Sequence, residues 1–68
     1  MTMFDVRCRV RNAEQFGWKL EDLRFTPGCP VFAIRRPDGT EGAVLGNLHL
    51  EEQADSVNKI LDEIGVPP

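Results

Sequence analysis

Arg36-Pro37-Asp38-Gly39-Thr40 restricts this chain most, because it folds two short apolar runs into an antiparallel hairpin. Pro37 presets φ for the first turning position, Asp38 tolerates the second, and Gly39 can take the left-handed one. With 37–39 as the loop, Arg36 faces Thr40, Arg35 faces Glu41, Ile34 faces Gly42, Ala33 faces Ala43, Phe32 faces Val44 and Val31 faces Leu45. The strands then span 31–36 and 40–46. Strict alternation assigns Phe32, Ile34 and Val44 to one sheet face and Val31, Ala33, Ala43 and Leu45 to the other.

The segment after the hairpin has a helical period. Leu50, Ala54, Val57, Leu61 and Ile64 draw one apolar stripe over 50–64, with Ile60 beside it. Gly65 can take the left-handed cap position, Val66 can pack back toward Leu61, and Pro67-Pro68 forbids continuation. Glu51 and Glu52 suit the positive end of the helix dipole, whereas Asp62 and Glu63 oppose its negative end.

Upstream of the hairpin, Phe4, Val6, Cys8 and Val10 alternate with Asp5, Arg7, Arg9 and Arg11, which reads as a half-buried strand over 3–11. Ala13, Phe16, Leu20 and Leu23 keep a helical period, while Phe16, Trp18 and Leu20 alternate like a strand. Gly17 weakens the helix, so the balance falls on a turn over 12–17 and an extended segment over 18–25. Thr26 to Pro30 reads as a loop. The expected class is α+β: a small antiparallel sheet of three to four strands (3–11, 31–36 and 40–46, with 18–25 as the additional one) backed by one C-terminal helix over 50–64.

A length of 68 residues allows one domain, and 41% hydrophobic against 28% charged residues is a globular balance. No apolar run approaches the roughly 20 residues needed to cross a bilayer, and the first residues lack a secretory pattern. A cytoplasmic protein without membrane contact is expected. Cys8 and Cys29 are too few for a disulfide framework and read as free thiols: Cys8 a small core side chain, Cys29 a loop residue whose reactivity the pattern leaves open.

Chemistry is thinly supplied. His49 is the single histidine, and nothing local marks either thiol as activated. Three isolated Cys and His residues do not make a zinc site, and Gly39, Gly42 and Gly46 flank a strand instead of opening a helix, so no phosphate cradle forms. No enzyme, cofactor or metal is expected. The formal net charge of −3 conceals an asymmetry, with residues 1–36 at +3 and residues 37–68 at −6.

These features suit a noncatalytic protein-binding module, an inhibitor or adaptor, using the acidic helix (Glu52, Asp55, Asp62 and Glu63) and the spare sheet face (Val31 and Leu45). Trp18 is either core or an exposed anchor for the partner. One helix covers one face of a small sheet, so the other face needs residues 12–25, a partner or a second copy, the last making a homodimer. The alternative is a nucleic-acid-associated protein that contacts phosphates through Arg7, Arg9 and Arg11 on one strand face, with Arg35 nearby. The acidic total and the absence of tyrosine disfavour it. Unrelated regulators, immunity proteins and inhibitors of phages and other mobile elements share architectures of this kind, so architecture does not select the function.

Overall fold

The computed structural model describes residues 1–23 and 30–68. Helix α1 (Met3–Glu14) leads into strands β1 (Lys19–Asp22), β2 (Phe32–Arg35) and β3 (Glu41–Gly46), then a 3-10 turn (Glu51–Gln53) and helix α2 (Ala54–Glu63). The α+β class holds. The sheet is antiparallel in the order β1-β2-β3, and the two helices pack on each other and share one core with it. Met3, Val6, Val10 and Ala13 of α1 meet Ala54, Val57 and Leu61 of α2 over Ile34 and Leu45.

The segment 3–11 is a helix, not the expected strand. Alternation and helical period coexist here, since Met3, Val6, Val10 and Ala13 are spaced three, four and three apart. The helical stripe runs beyond the alternating one at both ends, and its residues include good helix formers in Met, Ala, Glu and three Arg. A capping box settles the start: Thr2 Oγ1 accepts from the Asp5 amide at 3.2 Å, and Asp5 Oδ2 accepts from the Thr2 amide at 3.2 Å. Glu51 adds a second anchor, its two carboxylate oxygens accepting from the Met3 amide at 3.0 and 3.1 Å. Consequently Phe4 and Cys8, assigned to a core face by alternation, point outward, and Phe4 is 66% exposed.

Both helices end in the same way. The Trp18 amide donates to the Ala13 carbonyl and the Val66 amide to the Leu61 carbonyl, while Gly17 (φ +98°) and Gly65 (φ +83°) take the left-handed position between. Trp18 and Val66, the residues after those glycines, are buried against the core. At α1 the turn expected over 12–17 is confined to 15–17, because the helix persists to Glu14 before the chain turns into β1. The strand expected over 18–25 is realised at Lys19–Asp22. Arg24 and Phe25, like Cys29 and most of the expected 26–30 loop, lie outside the described residues.

The hairpin closes at 37–39 as expected, with the Arg36 amide donating to the Thr40 carbonyl and Arg35 opposite Glu41. Beyond that pair the expected register fails, because two irregularities leave Gly42 and Leu45 as extra residues on β3. Ile34 then faces Ala43, Ala33 faces Val44, and Phe32 faces Gly46. Gly42 permits the first irregularity, since a Cβ there would sit 2.6 Å from the Ile34 carbonyl oxygen. The second turns Leu45 into the core and Val44 outward, exchanging their expected faces.

The helix expected over 50–64 forms as the 3-10 turn followed by α2. Its stripe is buried at Ala54, Val57 and Leu61, half-buried at Ile60 and Ile64, and exposed at Leu50. Among the described residues, no helix is long and apolar enough to cross a membrane.

Candidate protein-binding surface

Helical geometry divides the three arginines that a strand would have aligned. Arg9 turns toward α2 and binds the end of that helix: Nε donates to the Pro67 carbonyl at 3.0 Å, Nη1 to Asn58 Oδ1 at 2.8 Å, and Nη2 to the Val66 carbonyl. Its guanidinium also pairs with Asp62 at 2.8 Å, and only 10% of its side chain is exposed. Arg36 Nη1 adds a donor to the Ile64 carbonyl at 3.3 Å. Two cations therefore offset the negative end of the α2 dipole, and Asp62, unfavourable there by itself, balances one of them.

Arg35 is likewise engaged. Its Nε donates to Glu21 Oε1 at 2.7 Å and its Nη1 to the Gly39 carbonyl at 2.8 Å. This hydrogen bond with the Arg35 guanidinium holds the Glu21 carboxyl below its ordinary range and raises the arginine in return. The pair lies on the sheet face away from the helices, beside Ala33, whose register partners are Glu21 and Val44.

Arg7 and Arg11 behave differently. They stand one turn apart on α1, exposed, and among the described residues no ion pair or hydrogen bond engages either guanidinium. On one side of them runs a groove of about 220 Å³, lined by Val10, Leu20, Phe32, Leu48, His49 and Glu14. On the other side Phe4 and Cys8 line a second depression. The arginines thus form a cationic ridge between two partly apolar hollows. His49 is set by local chemistry: its amide donates to Asn47 Oδ1 at 2.8 Å, and its ring meets the Phe32 ring edge-on at 5.9 Å.

The residues expected to serve a partner are dispersed. Glu52, Asp55 and Glu63 are exposed on or beside α2, with Asp62 tied to Arg9. Val31 is half-buried at the start of the hairpin. Leu45 and Trp18 are 4% and 8% exposed and belong to the core, so neither offers a surface. On the spare sheet face Leu45 gives way to Val44, which is 52% exposed there. Cys8 is exposed on α1, and its helical position explains why alternation misplaced it.

Phe4 and Leu48 were not selected from the sequence as surface or groove residues. A legible signal existed for Phe4: Thr2 followed by Asp5 is a helix start, and helical phase then puts Phe4, Cys8 and Arg11 on one outward strip. Leu48 lies in an irregular connection, where no periodicity announces burial. Among the described residues no group of three His, Cys, Asp or Glu side chains could hold a metal ion. Comparison with known protein families, curated proteins and solved structures finds no match to this chain.

Proposed function

We propose that the chain is a noncatalytic protein-binding module, a small inhibitor or adaptor, and that α1 carries its principal contact surface. The observation behind this reading is the juxtaposition of Phe4, 66% exposed, with the unengaged Arg7 and Arg11 and the adjoining apolar groove. Aromatic and arginine side chains are the residue types that dominate protein interfaces. Exposed Glu52, Asp55 and Glu63 give α2 the opposite sign, suited to steering encounter with a partner that bears basic groups elsewhere. Phosphate recognition is less well supported, because Arg9 and Arg35 of the four candidate cations are bound internally and the chain is acidic overall.

The test is retention of proteins from native lysate by immobilised wild type, Phe4→Ser/Arg11→Glu and, as a control on the spare face, Val44→Ser. A protein held by wild type and by the Val44 variant but lost from the α1 variant supports the reading. Equal retention by all three, or retention abolished by nuclease, overturns it.

A further inference from the structure

Resting on that protein-binding reading, we infer that the groove beside α1 receives an acidic segment of the partner protein, one large apolar side chain seated in the groove and carboxylates on Arg7 and Arg11. The floor is apolar, formed by Val10, Leu20, Phe32 and Leu48, and the wall carries two guanidiniums, Arg7 and Arg11, against the single carboxylate of Glu14. Charge complementarity therefore selects a segment that is both greasy and acidic. Arg7 and Arg11 are separated by four residues, about 6 Å along the helix, which matches two carboxylates one turn apart on a partner helix.

Size and charge argue against other occupants. The groove holds about 220 Å³, below the roughly 300–1,000 Å³ of small-molecule sites, and suits an anchoring side chain better than a whole ligand. A nucleic acid would meet only two unengaged guanidiniums, with Glu14 on the same wall and an apolar floor that offers phosphates nothing. A partner carrying Lys or Arg at the matching positions would instead face like charge.

The test uses the full chain and a displayed library of random dodecapeptides, followed by titration of the enriched peptides. Enrichment of peptides that carry Asp or Glu beside Leu, Phe or Met supports the inference. Binding should fall at least tenfold in Arg7→Glu/Arg11→Glu and should weaken with salt, while a Lys59→Glu control on α2 leaves it unchanged. Amide resonances of Val10, Leu20, Leu48 and His49 should shift on binding. Enrichment of basic or uncharged peptides, no enrichment at all, or shifts confined to α2 or the spare sheet face would overturn it. So would a 12-base-pair DNA duplex binding more tightly than the best peptide. If these fail while the lysate experiment still identifies a protein lost from the α1 variant, the occupant assigned to the groove is wrong and the protein-binding reading stands.

Discussion

The two flanks of α1 carry the same residue type to opposite ends. On the flank facing α2, Arg9 is nearly buried and joins four partners near the helix C-terminus: Asn58, Asp62, Val66 and Pro67. On the flank facing the groove, Arg7 and Arg11 reach solvent with no partner among the described residues. Two positions of sequence, about 200° of helix rotation, separate a tie that closes the fold from a surface open to recognition. Charge on a small domain therefore cannot be assigned a role by counting; the role depends on the side of the helix it occupies.

Breaking the core beneath both flanks gives the largest effect. Leu61 is fully buried and accepts the terminal hydrogen bond of α2, and Leu61→Ala should cost about 2–5 kcal/mol in urea unfolding. An unchanged midpoint would mean that α2 is not docked on α1 and the sheet. Next, Arg9→Ala should lose about 1.5–3 kcal/mol, because it strands carbonyls that now accept from a charged donor. Arg9→Lys should recover little, since a single ammonium cannot reproduce a forked set of contacts. Full rescue by lysine would reduce Arg9 to a simple counter-charge.

The two glycine stops offer a finer comparison. Gly65→Ala should cost about 1–2 kcal/mol for its positive φ alone, as a Cβ there meets no atom within 4 Å. Gly17→Ala should cost more, since its Cβ would also lie 3.1 Å from Pro37 Cβ. Equal thermal shifts for the two would show that the hairpin turn yields freely.

Acid titration gives a smaller and signed effect. Hydrogen bonds from the Thr2 amide and hydroxyl hold the Asp5 carboxyl below its ordinary 3.8, and Thr40 does the same for Asp38 through its hydroxyl and amide. A carboxylate depressed by folding contributes its stability above the unfolded value and loses it as pH falls through the folded value. Stability from these groups should thus be level near neutrality and decline below about pH 4. The stability gap between wild type and Asp5→Asn should narrow over that same decline; a gap that widens on acidification would contradict the capping role.

Which elements were legible depends on how many periods each segment satisfies. Residues 50–64 fit a helix only, and Gly65-Val66-Pro67 marks its end, so α2 could be read directly. Residues 3–11 fit both a strand and a helix, and the tie was broken by two tertiary and local features: the Thr2–Asp5 box and the docking of Arg9 onto α2. The end of α1 was in fact written in the same pattern as that of α2. Ala13-Glu14-Gln15-Phe16-Gly17-Trp18 parallels Leu61-Asp62-Glu63-Ile64-Gly65-Val66, with an apolar residue, an acid, a polar residue, an apolar residue, glycine and an apolar residue. Gly17 marks a helix stop there, as Gly65 does. The hairpin turn was equally legible, but alternation carries no trace of the two irregularities in β3 that move Leu45 inward. The groove was least legible, because it assembles Arg7 and Arg11 with Leu20, Phe32, Leu48 and His49 from four separate parts of the chain.

Equilibrium urea unfolding of Arg9→Ala beside the double variant Arg7→Ala/Arg11→Ala tests the division of α1 most directly. The structure predicts a loss of about 1.5–3 kcal/mol for the first and a change within about 0.5 kcal/mol for the second. Comparable losses in both, or a larger loss in the double variant, would contradict it.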